Sequence, residues 1–430
     1  MMEEIKMLPY GISDFEDLRR QNMYYADKTM YIPLLERTCD FLYLVRPQGF
    51  GKSTFLSMLR CYYDITKQDK FNELFDGLWI KDNPTPLKGA YQIMYFDFSQ
   101  TAIGNGDLEE KFHKYCSAVL CDFADRYSKF YGERFYETVL NKAPDSADQL
   151  RYICMEAKMR KIQLYLIIDE YDYFTNDALN EQGESVYNTL NRNTYFYQNV
   201  FKLYKTNFQR IIYMGINPVS LNGLTSGFCI AWDLCSDPRF NMMLGFSETE
   251  VREMISYYKQ AGMIKTDTVQ MIEKIKSWFG NYCFAKECLD TDPKIFRSDM
   301  VIHYLKRHIL YGESPINNHD DNALSDNKIL EKLTQLDSMT DRERSLIKRI
   351  AKEEKIRDKI NTYIPADCIF DRENLVNLLY FYGMLTIIGI DLDRLVLGIP
   401  NNNVLKQYYE YLLQEYSSAV DIDFIRLQLE

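Results

Sequence analysis

The sequence predicts an α/β protein: an open parallel sheet carrying a phosphate-binding loop, followed by a helical region and a winged-helix-like module. Three observations predict it. Phe41-Leu-Tyr-Leu-Val45 is a short apolar run, as expected of a strand buried on both faces, and it runs through a glycine-bearing turn into Phe55, Leu56, Leu59, Tyr62 and Tyr63 at helical spacing. Gln163-Leu-Tyr-Leu-Ile-Ile168 is another such run, and it ends in Asp169-Glu170-Tyr171-Asp172. The last 85 or so residues read as two helices, a hairpin and a closing helix.

A chain of 430 residues exceeds one hydrophobic core. The expected division is an N-terminal segment (1–40) packed on the sheet, a sheet core (41–240), a helical lid region (241–345) and the C-terminal module (346–430). Hydrophobic residues at 46% and charged residues at 26% are the mix of a folded soluble protein. No apolar run approaches the roughly 18 residues of a membrane helix. Met1 to Lys6 is charged with no apolar stretch behind it, so no secretory signal is expected and the compartment reads as cytoplasmic. A net charge of −11 argues against a chain-wide nucleic-acid footprint, though not against a local one. Ten cysteines without two-residue spacing, beside four histidines, argue against a zinc ribbon or disulfide scaffold and for reduced thiols.

Along the chain, Ser13 or Asp14 is placed to cap a short helix through Arg20, and Asp27-Lys28-Thr29 to cap the next one. A contact to a nucleotide edge is the alternative reading of that segment. Then comes Arg46-Pro-Gln-Gly-Phe-Gly-Lys-Ser-Thr54. A strand, a glycine-bearing loop and a helix opening on Gly-Lys-Ser form a phosphate cradle. Helix-start amides and Lys52 face the phosphates, and Ser53 is placed for Mg²⁺. The candidate nucleotide-binding residues are therefore Arg46, Gly49, Phe50, Gly51, Lys52, Ser53 and Thr54. The consensus puts a glycine where this chain has Arg46, and Gly49 supplies some of the missing backbone freedom.

Tyr91 to Ser99 reads as a second buried strand whose Asp97 and Ser99 end it on the ligand side of the sheet or cap a turn. Helices are expected over Leu108 to Phe130 and Ala147 to Lys161. In the third strand's Asp169-Glu170, the first acid is the candidate Mg²⁺ ligand and the second, with Lys52, the candidate catalytic pair. A helix is expected from Tyr187 to Lys205. The fourth strand, Arg210 to Met214, leads to Asn217, which reads either as a phosphate sensor or as an Asn-Pro turn. Leu221 to Cys235 reads as loop. Ser247 with Glu250 forms a capping box that opens the helical region, which runs to about residue 345. Asp290-Thr-Asp-Pro-Lys294 has the letters of a nuclease cluster without a strand, and reads as a turn. In the C-terminal module the helices are Arg342 to Lys352, Glu373 to Tyr382 and Val404 to Tyr416. Its acidic residues favour protein docking over DNA contact.

These motifs taken together resemble the AAA-ATPase-like family of gut and related anaerobic bacteria. The resemblance covers nearly the whole chain. It rests on Tyr24-Tyr-Ala-Asp-Lys-Thr29, Arg46 to Ser53, Ile168-Asp-Glu-Tyr-Asp172, Gly245 to Val251, Gly383-Met-Leu-Thr386 and Ile399-Pro-Asn401. It implies an AAA-like P-loop NTPase core and ATP as the nucleotide. The family shows an Arg-Pro start to the loop, as here, but usually two basic residues where this chain has Gln48-Gly49. The family also usually continues into a restriction-endonuclease-like nuclease domain, and the sequence to Glu430 contains no strand-borne acid–acid–lysine cluster to match it. The functional expectation is an Mg²⁺-dependent ATP-hydrolysing switch that acts on its C-terminal module, a protein partner or a second copy of itself. The alternative is an ATP-gated scaffold or nuclease-linked regulatory protein with little hydrolysis. No arginine finger is assigned from the sequence, Arg192 and Arg210 being named only as guesses.

Overall fold

The computed structural model describes residues 4–101, 108–173, 206–220, 231–291, 294–312, 330, 341–365 and 374–415. The expected helix at 187–205 with Arg192, most of the loop at 221–235 and the Asn/Asp-rich stretch at 317–327 lie outside them. So do two residues of the Asp290–Lys294 turn.

The chain opens with α1 (Phe15–Arg20), capped by Asp14, whose carboxylate accepts from the Asp17 N–H at 3.1 Å. Asp27 closes a turn by accepting from the N–H and hydroxyl of Thr29, ahead of α2 (Ile32–Thr38). Strand β1 (Phe41–Val45) follows, and then α3 (Lys52–Tyr63), α4 (Phe71–Leu74), α5 (Trp79–Asp82) and β2 (Gln92–Asp97). The layer behind the sheet continues with α6 (Leu108–Tyr131), α7 (Phe135–Leu140) and α8 (Ser146–Met159). Strands β3 (Leu164–Asp169), β4 (Arg210–Gly215), β5 (Val219–Ser220) and β6 (Trp232–Asp233) come next.

The main sheet has the order β2-β3-β4-β1-β6, with every pairing parallel. Strands β1, β3 and β4 each have a neighbour on both sides, which is why they read as unbroken apolar runs. Because β4 lies between β1 and β3, whatever follows β4 is held between the loop after β1 and the acids after β3. The two residues of β6 were expected to be loop; so short a strand has no period to read.

Three helices follow: α9 (Glu248–Gln260), α10 (Thr268–Phe279) and α11 (Ser298–Tyr311). Ser247 and Glu250 make the reciprocal capping box at the start of α9. These helices enclose an apolar core of their own, including Val251, Met254, Tyr258, Met271, Ile275 and Val301. Past them lie α12 (Asp341–Glu353), β7 (Lys355–Asp358), β8 (Ile364–Pro365), α13 (Leu375–Phe381), β9 (Thr386–Asp391), β10 (Arg394–Gly398) and α14 (Asn402–Glu415). The expected hairpin is present as β9–β10, and β7 adds a third antiparallel strand against β10. Side chains of α13 and α14 belong to the same core as the main sheet. Among the described residues no helix is long and apolar enough to cross a membrane, and the eight cysteines are free thiols.

Candidate functional site

The loop between β1 and α3 is shaped by two glycines. Gly49 and Gly51 have φ of +82° and +85°, backbone that other residues adopt only under strain. At Gly49 the space is closed as well, since a Cβ there would collide with the Asp299 carboxylate. The loop is clamped from the helical side: the Asp299 N–H and the Ser298 hydroxyl both donate to the Gly49 carbonyl at 3.1 Å, and the Gly245 N–H donates to Phe50 O at 2.8 Å.

Lys52, the first helical residue, is buried, and its ammonium donates back into the loop, to the carbonyls of Arg46 (3.1 Å) and Pro47 (3.3 Å). Its nitrogen lies 3.7 Å from Glu170 Oε1. The Asp169 carboxylate accepts from the Tyr95 hydroxyl at 3.3 Å and from the Glu170 N–H at 3.0 Å, and the Ser53 hydroxyl is near enough to act on its pKa. Burial pushes the Asp169 carboxyl up to about 6; the Ser53 hydroxyl works against that rise and the Glu170 charge adds to it. Burial raises Glu170 too, opposed by Lys52. Glu170 itself sits at φ +49°, a conformation uncommon for its residue type, which turns its side chain out of strand register beside Lys52. A hydroxyl and a carboxylate are hard oxygen donors of the kind Mg²⁺ takes, with water and phosphate completing its shell.

The other expected loop residues have different surroundings. Arg46 is buried, with Nη1 donating to the carbonyls of Val45 and Cys235, both at 2.9 Å, and its guanidinium lying 4.3 Å from the centre of the Phe284 ring. Its Nε and Nη2 have no hydrogen-bond partner among the described residues. The Phe50 ring packs edge-on to Tyr282 and Phe284, so that residue meets the cavity chiefly through its main chain. Thr54 lines the cavity with Ser53. Arg210 stands at the first position of β4, at the other end of the strand from Asn217, bonded to the Glu36 carbonyl and to Asp40.

Asn217 is buried, and its main chain is held by groups that sequence reasoning missed. The Asp172 carboxylate accepts from the N–H of Asn217 (2.6 Å) and of Ile216 (3.1 Å). The Tyr171 hydroxyl donates to the Asn217 carbonyl. The Asn217 side-chain amide donates to the Tyr382 hydroxyl at 2.8 Å. One signal for Asp172 was present: it is a third acid three residues after the strand-ending Asp169. Nothing local marks Tyr382.

Beside the loop is a cavity of about 500 Å³, a volume suited to a nucleotide-sized ligand. Its walls come from the loop and α3, from Pro9 to Ser13 and Tyr24 to Ala26, from Met243 to Phe246, and from the start of α11. The N-terminal segment thus lines the cavity as well as capping its own turns.

A parallel five-stranded sheet among many helices, with a glycine loop feeding a lysine-first helix, defines an α/β class consistent with a P-loop-like core. A family model described as "Predicted AAA-ATPase" matches residues 9–225, just over half of the chain, and the chain belongs to this AAA-ATPase-like family. The chain is also similar to a protein of Azotobacter chroococcum mcd 1, "Uncharacterized protein in vnfD 5'region", at 24% identity over 295 residues. That match covers 66% of this chain and 50% of the relative, so it spans half of the relative's length.

Proposed function

We propose that the protein binds ATP with Mg²⁺ in the cavity beside the glycine loop, hydrolyses it, and uses the change of nucleotide state to move its C-terminal elements or a partner. The observation that carries this reading is the convergence of Lys52 and Ser53 with Asp169 and Glu170, two pairs far apart in sequence, around one loop.

In this reading the loop amides and Lys52 neutralise the phosphates, and Ser53 and Asp169 are the residues that hold Mg²⁺. The ion, when bound, screens the charge that builds on the phosphates during transfer. Glu170 orients the attacking water and takes its proton, a task suited to a carboxyl that burial raises above its ordinary value. Before nucleotide enters, Lys52 holds Glu170 and the loop carbonyls, so binding exchanges those contacts for phosphate. Asn217, between the loop and the acids, senses the terminal phosphate. Arg46 serves from beneath, fixing the start of the loop to Cys235 and Phe284. Residues 1–40 pack on an ATPase core at 41–240, 241–345 form the lid, and 346–430 form a module whose three-stranded sheet between helices is winged-helix-like. A protein partner or a second copy is the expected recipient of the switch.

The test is phosphate release from Mg²⁺-ATP, compared with Lys52→Ala. Loss of a positioned phosphate-binding lysine is expected to abolish turnover, a fall of at least about 100-fold. Equal rates in the two proteins sink the reading.

A further inference from the structure

A lysine on the wall of a phosphate cavity is ordinarily assigned to the phosphates, and Lys28 lines the cavity beside the glycine loop. Its hydrogens are directed elsewhere. The buried ammonium meets both carboxylate oxygens of Glu250, at 2.7 and 2.8 Å, and donates to the Met242 carbonyl at 2.9 Å. That is three contacts for the three hydrogens of an ammonium. Burial pulls the pKa of Lys28 below its ordinary value, and the Glu250 charge works against the fall.

These contacts join two walls of the cavity. Tyr24, Tyr25 and Ala26 line it just before Lys28, and Met243 to Phe246 line it just after Met242. The second wall is fastened to the glycine loop, since the Gly245 N–H donates to Phe50 O at 2.8 Å. Glu250 is also the capping-box acid of α9, and its Oε2 accepts from the N–H and the hydroxyl of Ser247 at 2.7 and 2.9 Å. One carboxylate therefore serves both the start of α9 and the N-terminal segment. The Tyr24 ring adds contacts to Tyr257 and Tyr258, about two turns further along the helix. We propose that Lys28 is a positioning residue of the nucleotide site. It takes no phosphate, and by holding Glu250 and Met242 it sets the spacing of the walls that receive the part of the nucleotide beyond its phosphates. This rests on the nucleotide-site reading above, but not on hydrolysis.

Two ligands separate the walls from the loop: ATP meets both, whereas inorganic tripolyphosphate meets the loop alone. Titration calorimetry with Mg²⁺ measures each ligand on the full chain and on Lys28→Met, Glu250→Gln and the double variant. Methionine keeps an unbranched side chain without the charge, and glutamine at 250 keeps the capping box. In Lys28→Met the affinity for ATP is expected to fall by about tenfold or more, because a half-buried carboxylate has lost its cation. Affinity for tripolyphosphate should stay within about twofold. Because both changes cut one connection, the double variant should lose no more ATP affinity than Lys28→Met alone. An equal fall for the two ligands, as a phosphate ligand or a merely structural residue would give, overturns the proposal. So does unchanged ATP affinity, or losses that add in the double variant. If Lys28→Met does not fold, Glu250→Gln carries the same comparison of the two ligands. Failure of the underlying reading looks different: the unmodified chain would bind neither ligand, or Lys52→Ala would bind ATP unchanged.

Discussion

At Gly49 two constraints coincide, a left-handed backbone and a carboxylate where a Cβ would go. A side chain in that conformation costs about 1–2 kcal/mol before any clash. Gly49→Ala is therefore expected to weaken ATP binding by at least about tenfold, read by titration calorimetry. Gly262 makes the control, with a similar φ of +75° and nothing within 4 Å of its would-be Cβ. Gly262→Ala should lower the melting temperature by a few degrees, about what 1 kcal/mol gives, and leave nucleotide affinity unchanged. Equal affinity losses in the two variants would show that the Asp299 contact does not matter. At this scale the lysine, serine and acid pair were legible in the sequence, because each sits beside the strand or helix that positions it. Asp172 and Tyr382 were not, because their bonds to Asn217 span 45 and 165 positions. The burial of Arg46 was also hidden: an arginine at a phosphate loop reads as a ligand until Phe284 and the Cys235 carbonyl are seen against it.

Among the elements, α1 is tied to the rest of the N-terminal half by its buried apolar face, by Arg19 and by the carboxylate of Glu16. Glu16 is paired with Lys67 and Lys70 and, within its helix, with Arg20. Burial works to raise its pKa, but the hydrogen bonds and charges of the two lysines outweigh it and bring it from 4.5 to about 2. A depressed carboxyl stabilises the fold above its unfolded pKa and loses that contribution as pH falls through the folded one. Glu16→Gln should therefore melt below the unmodified protein at pH 7, with the gap closing between about pH 4.5 and 2. A gap independent of pH would contradict the ion-pair account. The long, buried elements β1, β3, β4, α6 and α8 were readable because burial imposes a period or a run. The short strands β6 and β7 were not, since they are made by the neighbours β1 and β10 rather than by their own composition.

In the whole molecule, the glycine loop is contacted by parts with different attachments. The helices α9 to α11 have their own core and reach the loop through Ser298, Asp299 and Gly245. The C-terminal elements share the core of the sheet, meeting the loop at Pro47 and the segment after β4 at Asn217. Nucleotide is thus expected to slow amide exchange at the start of α11 and at Pro9 to Ser13, and to raise the unfolding free energy by about 2.7 kcal/mol at 100 times Kd. Protection confined to the loop itself would mean that these walls do not close on the ligand. The acid beside Lys52 is the proposed water-activating group. Its most direct test is Glu170→Gln, measured both for ATP binding and for phosphate release in a single turnover. Binding is expected to be retained and release slowed by at least about 100-fold, the lower end for a general base. Release at the unmodified rate, with binding intact, would contradict that role.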